Sequence, residues 1–149
     1  MIRSFSLVSG LLLLALSGVA CGGGPDKLSG SLDEYYDLSF VETRARLFPS
    51  QLSVEWIDED REVVVRATVN VNQVSLEGPA TVDLALYGDL SGRSGGTPIP
   101  EMESGTLVLD AYAPEAGAAV EGSLDAEVIG QRGNATVSGQ FKTILDDQR

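Results

Sequence analysis

The chain has no histidine and a single cysteine, Cys21, and these two shortages exclude several kinds of chemistry. Without histidine there is no Ser-His-Asp or Cys-His catalytic set, no imidazole metal site and no histidine acid–base catalysis. A lone cysteine has no partner for a disulfide within the chain. Neither common glycine-rich phosphate loop is present, and Ser-x-x-Lys does not occur. We therefore predict no catalytic residue, no bound metal and no cofactor.

Basic residues are also scarce, with 10 Lys and Arg against 22 Asp and Glu, which gives a net charge of −12. A surface of this sign repels the phosphate backbone, so we predict no nucleic-acid partner. The simplest role for the excess acid is solubility. With 149 residues, 43% of them hydrophobic, the chain is long and apolar enough for one folded domain.

The amino-terminal segment is typical of an export signal. Arg3 supplies a positive charge, Leu7 to Leu16 an apolar run, and Gly18-Val19-Ala20 a zone of small residues for cleavage. The apolar run falls short of the roughly 20 residues that a membrane-spanning helix needs. Two alternatives remain open, an uncleaved anchor and ordinary secretory cleavage that leaves Cys21 as a free thiol.

The stretch Leu16 to Cys21 resembles the lipobox of bacterial lipoproteins, with Gly18 where leucine is more common. The resemblance implies a diacylglyceryl group on the Cys21 sulfur, cleavage before Cys21, and acylation of the new amino terminus. Residue 22 is glycine and not aspartate, which in enterobacterial lipoproteins implies transport to the outer membrane. We therefore expect a signal peptide over 1–20, a flexible tether over 21–27, and a β domain over 28–149 that Cys21 anchors in the cell envelope.

The whole chain is also similar to small lipoproteins that are common in myxobacteria and their relatives. The similarity rests on the lipobox, on Gly22-Gly23-Gly24, and on the stretches Asp37 to Phe40 and Thr43 to Leu47. No activity is implied by this resemblance.

Alternating apolar residues predict strands along most of the remaining chain. Leu52 to Ile57 and Val63 to Val71 predict a hairpin with a loop over 58–61, which pairs Ile57 with Glu62, Trp56 with Val63, and Val54 with Val65. Val120 to Ile129 and Asn134 to Phe141 predict a second hairpin around Gly130 to Gly133. Its register sets Gly122 opposite Phe141 and Leu124 opposite Gly139, so each glycine makes room for a large side chain.

Further strands are predicted over Val41 to Phe48, Thr81 to Tyr87 and Thr106 to Tyr112. Residues 31–40 favour either a helical turn, capped by Ser31 with Glu34, or a strand from Tyr35. The glycine-rich stretch from Gly88 to Gly105 is expected to be structureless, and it is either functional or, as its glycine content favours, simply mobile. The predicted fold is all-β, an antiparallel β-sandwich or small barrel of about seven or eight strands.

Candidate binding residues are few. Asp58, Glu59, Asp60 and Glu62 offer oxygen ligands for Ca²⁺, but charged residues are what a hairpin turn ordinarily carries, and the turn is favoured. Asn134-Ala135-Thr136 matches a glycosylation sequon, a match that we expect to be accidental. Four tyrosines are candidates for stacking on a sugar or anchoring a partner, although core packing is the commoner role: Tyr35, Tyr36, Tyr87 and Tyr112.

Three functional hypotheses follow. The first is a non-enzymatic, lipid-anchored β domain of the cell envelope that binds a protein or another envelope component. The second is a β domain that binds a small ligand such as a sugar or a lipid. The third, a hydrolase that uses only carboxylates, is the remotest, because the spacing of the carboxylates selects no catalytic pair.

Overall fold

Strands make up most of residues 26–149, the part of the chain that the computed structural model describes. In this part the strands are β1 (Lys27–Ser29), β2 (Glu42–Leu47), β3 (Gln51–Ile57), β4 (Val63–Asn70), β5 (Ala80–Asp83), β6 (Gly88–Ser91), β7 (Arg93–Ser94), β8 (Thr97–Pro98), β9 (Met102–Ala111), β10 (Ala119–Gly130) and β11 (Gly133–Asp147). A 3-10 helix spans Ser31–Glu34, and α1 spans Leu84–Tyr87. The predicted signal peptide and Cys21 lie outside the described residues.

Eight strands form one nearly closed, barrel-like sheet in the order β5-β9-β10-β11-β2-β3-β4-β6. The pair β11–β2 is parallel, with Leu145 opposite Ala45, and the other neighbours along this path are antiparallel. The prediction of an all-β domain of seven or eight strands is confirmed. Because of the one parallel pair, the sheet is mixed.

Between the edge strands β5 and β6 the barrel has a seam, and the chain crosses this seam as the short helix α1. Asp83 caps this turn, because its Oδ1 accepts a hydrogen bond of 2.9 Å from the backbone N–H of Ala85. Leu84 is buried at the seam, whereas Leu86 is 68% exposed. The strand predicted over Thr81 to Tyr87 is therefore wrong beyond Asp83. A helical turn replaces it, so side chains no longer alternate between inside and outside.

The two ends of the barrel differ. The lower end carries the turns of the β3–β4 and β10–β11 hairpins, and residues 31–41 cover it with the buried side chains of Leu32, Tyr36 and Leu38. The Tyr36 hydroxyl donates a hydrogen bond of 2.6 Å to the carbonyl oxygen of Val64 on β4. Of the two predictions for 31–40, the helical turn is present, but Gly30 is its N-cap and no side chain caps it.

The predicted register of the β10–β11 hairpin is confirmed. Gly122 lies opposite Phe141, Leu124 opposite Gly139, and Ile129 opposite Asn134. A Cβ atom on Gly139 would lie 2.6 Å from the ring of Trp56, so this glycine makes room chiefly for the tryptophan.

The predicted register of the β3–β4 hairpin is wrong by two residues, since Trp56 lies opposite Val65 and Val54 opposite Ala67. Two local features cause the shift. The loop is one residue shorter than predicted, with Arg61 at a positive φ of 69°, and Asp58 pairs with Glu62 through backbone hydrogen bonding. A bulge between Trp56 and Ile57 then adds one residue to β4. From Trp56 and Val65 onward, the shift of two keeps each side chain on its predicted face. Val63 is the exception, since it lies opposite Ile57 and Val64 is buried in the core instead.

The expectation of a structureless stretch from Gly88 to Gly105 is also wrong. It contains β6, the small β7–β8 hairpin and the start of β9. The Ile99 N–H donates to the carbonyl of Gly92, which holds the β7–β8 hairpin together at its base.

The described chain joins the barrel at Asp26. Its two carboxylate oxygens accept hydrogen bonds from the backbone N–H of Lys142 on β11 and from the hydroxyl of Thr43 on β2. Strand β1 then pairs with β11 from Gln140 to Ser138, below the point where β2 pairs with it. Asp26 and Lys27, the last two residues of the predicted tether, are thus attached to the wall of the barrel.

Candidate functional site

A cavity of about 400 Å³ opens at the upper end of the barrel, opposite the end that residues 31–41 cover. Nine of its thirteen lining residues are apolar or aromatic. The lining consists of Leu47, Phe48, Pro49, Val71, Val74, Ser75, Leu76, Glu77, Gly78, Tyr112, Ala113, Pro114 and Arg149. Pockets of this size and character, at the mouth of a barrel, are a common form of small-molecule site.

Three connections and the carboxyl-terminal residue build the walls: the β2–β3 turn, the β4–β5 loop and the β9–β10 loop. Backbone hydrogen bonds fix the first wall, since Phe48 N–H donates to Gln51 and Gln148 N–H donates to Leu47, each at 2.8 Å. Val71 N–H donates to Ser50, which ties the start of the β4–β5 loop to the same turn. This side of the cavity is therefore preformed.

The β4–β5 loop forms a less constrained wall. Within the described residues, no backbone hydrogen bond of a turn or loop involves residues 74–79. Leu76 nevertheless lies 5% exposed, packed against the core. The side chain of Leu76 is thus held by apolar contact rather than by its backbone, so this wall is the one that can move with least loss of hydrogen bonding.

The rim carries an ion pair. Arg149 donates through Nε and Nη2 to the two carboxylate oxygens of Asp147, at 2.9 and 2.8 Å, and through Nη2 to the Pro114 carbonyl. Hydrogen bonding from Arg149 lowers the pKa of Asp147 to about 2. Burial raises the pKa of the nearby Tyr112 hydroxyl. At neutral pH the positive charge of Arg149 is therefore balanced by the Asp147 carboxylate, and Tyr112 is a neutral phenol.

The outer wall of the barrel holds the one carboxylate that is fully buried within residues 26–149, Glu55 on β3. Its Oε1 accepts hydrogen bonds from Arg46 Nη2 at 2.6 Å and from Arg66 Nε at 2.8 Å. Oε2 of Glu55 has no partner in the described residues. A glycosidase needs two carboxylates, and no second one is buried in the described residues. This cluster is a cross-strand ion network on the sheet.

The four candidate tyrosines do not gather around the cavity. Tyr112 lines it, Tyr36 is buried at the opposite end, Tyr35 lies half exposed beside Gly130, and Tyr87 lies on the outer wall at α1. Tyr112 is thus the only one of these candidates that the structure brings to the site.

Of the other candidates, the acidic residues lie around the β3–β4 turn, and Asn134 to Thr136 lie on β11. Asp58 Oδ1 accepts from the backbone N–H of Glu62, so this carboxylate closes its own hairpin loop. Within residues 26–149, no group of three or more potential metal-binding side chains is placed to share an ion. The amide of Asn134 donates to the Glu103 carboxylate.

Sequence reasoning missed most of the cavity, because its walls come from four separate stretches of ordinary composition. Only the apolar spacing of Val71, Val74 and Leu76 in a loop was a usable signal, since loops usually expose polar residues. None of the helices in the described residues combines the length and the apolar character needed to cross a membrane. No protein-family model, no curated protein and no solved structure matches this chain.

Proposed function

We propose that this chain is a non-enzymatic binding domain, anchored by a lipid on Cys21 at the outer membrane of a bacterial cell envelope, and that it takes a small apolar ligand in the upper cavity. The observation that carries the proposal is the apolar cavity of about 400 Å³ at the open end of the barrel.

The lining defines the class of ligand. Phe48, Val71, Val74 and Leu76 offer hydrocarbon surface, and burying apolar area contributes roughly 25 cal/mol per Å². Since Arg149 is already paired with Asp147, the described residues of the rim offer no unpaired positive charge for an anionic head group. Besides the paired Arg149, the polar groups of the lining are the neutral Tyr112 hydroxyl, the Ser75 hydroxyl and the Glu77 carboxyl group. A neutral, mainly hydrocarbon molecule with at most one or two hydrogen-bonding groups fits best.

A fluorescent probe tests this proposal. N-phenyl-1-naphthylamine is neutral and apolar, and its emission rises when it enters a dry site. We expect saturable binding to the domain, and competition by neutral hydrocarbon alcohols. Ala113→Trp, which fills the cavity, should abolish the signal. Ala116→Trp adds the same bulk on an exposed position of the same loop and is the matched control.

Equal probe binding by both tryptophan variants would place the probe elsewhere on the molecule and would overturn the cavity proposal. Unfolding curves of both variants establish that the folded state is intact in each comparison.

A further inference from the structure

A second concave surface lies on the outer wall of the barrel, across β3, β4 and β6. It is a groove of about 290 Å³ lined by Ser50, Gln51, Thr68, Asn70, Gln73, Leu86, Tyr87, Gly88 and Asp89. None of these residues lines the upper cavity. The groove is therefore separate from the site proposed above.

Strand register places the polar side chains of the groove in two adjacent rows. Gln51 lies directly opposite Asn70, and Thr68 lies directly opposite Asp89. Direct cross-strand neighbours on one face have Cβ atoms about 5 Å apart, so hydrogen-bonding groups recur at short intervals across the sheet. The rows are held by the rigid ladder of β3, β4 and β6.

These groups keep their hydrogen-bonding capacity. In the described residues, no side-chain hydrogen bond involves Gln51, Thr68, Gln73 or Asp89, and Asn70 uses only its Oδ1, which accepts from the Asn72 N–H. Amides both donate and accept, and a carboxylate accepts through two oxygens. Such a set can pair with neighbouring hydroxyl groups, each of which also donates and accepts.

One side of the groove is apolar. Tyr87 is 38% exposed and Leu86 is 68% exposed, both on α1, so each keeps part of its apolar surface open to solvent. An exposed tyrosine ring offers a flat apolar face beside a polar hydroxyl. Gly88 holds α1 close to the sheet, since a Cβ there would lie 2.1 Å from the Thr68 carbonyl oxygen.

Charge narrows the choice of ligand. Among the described residues that line the groove, Asp89 is the only ionisable side chain besides the Tyr87 phenol, and none is basic. On a chain with a net charge of −12, an anionic ligand is repelled.

We propose that the groove formed by Gln51, Thr68, Asn70, Gln73, Tyr87 and Asp89 binds a neutral oligosaccharide. The sugar hydroxyls pair with the amide, hydroxyl and carboxylate groups, and the C–H face of one ring packs on Tyr87. The inference needs neither the lipid anchor nor the upper cavity.

Residue-resolved NMR titration of the ¹⁵N-labelled domain with chitotetraose, cellotetraose and maltotetraose tests the proposal. We expect at least one of them to shift the backbone and side-chain amide signals of Gln51, Asn70 and Gln73 in a saturable way. A triuronate of similar length should bind more weakly. Tyr87→Ala should weaken binding of the neutral sugar about tenfold.

Gln51→Ala, which leaves α1 untouched, should weaken binding about fivefold. The matched control is Gln140→Ala, an exposed amide on β11, which should leave affinity within about twofold. Absence of saturable shifts with all three neutral sugars would overturn the proposal. So would binding that Tyr87→Ala and Gln51→Ala leave unchanged.

Discussion

At the residue scale, Glu55 is a charge buried on what would otherwise be a solvated face of the sheet. Its carboxylate is wholly covered, while the side chains of Arg46 and Arg66 are 26% and 36% exposed. The guanidinium of Arg46 also lies 5.4 Å from the ring centroid of Phe48, at the edge of the upper cavity. The three residues are thus unequal partners, because each arginine retains contact with water and the glutamate does not.

Because the burial of the three side chains differs, we expect their variants to lose different amounts of the free energy of unfolding. The double variant Arg46→Met/Arg66→Met leaves a buried, unpaired carboxylate, so we expect the free energy of unfolding to fall by about 3–5 kcal/mol. Glu55→Met leaves two arginines that can turn to solvent, and it should cost about 1–2 kcal/mol. Urea denaturation measures both. A larger loss for Glu55→Met than for the double variant would contradict this account.

At the scale of elements, the register of a hairpin could be predicted where the residues of its turn fix the turn geometry. The β10–β11 register could be predicted because Gly130 and Gly133 bracket a tight turn, and because Gly122 leaves room for the Phe141 ring opposite it. In β3–β4, nothing in the pattern revealed the bulge, since Val63, Val64 and Val65 are interchangeable in an apolar run. The cavity forms where three loops meet in space, so no local pattern in the sequence predicts it.

The segment over 31–41 is an element in its own right, and Tyr36 fixes it to β4. Burial, followed by the charges of Glu62 and Asp58, raises the pKa of Tyr36 well above its usual range. A raised pKa means that the folded state disfavours the phenolate. The stabilisation is therefore complete below about pH 10, the pKa of an unfolded tyrosine, and is lost as the pH rises toward the folded pKa.

We expect the free energy of unfolding to fall more steeply above about pH 10 in the natural protein than in Tyr36→Phe. At neutral pH the same variant should lose about 1 kcal/mol, because the Val64 carbonyl loses its donor. Tyr35→Phe, at a half-exposed ring beside it in sequence, is the control. Parallel pH profiles for the natural protein and Tyr36→Phe would refute this role.

At the scale of the whole molecule, the chain that leads from the proposed anchor on Cys21 joins the barrel at Asp26. From Cys21, five residues of chain reach at most about 17 Å. Since Asp26 is bonded to both β2 and β11, a membrane-bound lipid on Cys21 would hold this side wall of the barrel near the bilayer.

Labelling cells with an alkyne analogue of palmitate tests the anchor. We expect label on the mature chain and its recovery in the membrane fraction, and loss of both in Cys21→Ser, because a free thiol or hydroxyl provides no hydrocarbon to bury. Ser4→Ala, outside the Leu16 to Cys21 stretch, is the control. An unlabelled mature chain that remains in the membrane fraction would refute lipidation of Cys21.

The parallel pairing of β11 with β2 makes completion of the fold a late event. Leu145 meets Ala45 across 100 residues, and Asp26 meets Lys142 across 116. Whether the chain emerges from a ribosome or from an export channel, its amino end comes first, and β2 has an unpaired edge until β11 arrives. Contacts of such long range form slowly. A nascent chain therefore has to be shielded from aggregation and proteolysis until nearly its whole length has emerged.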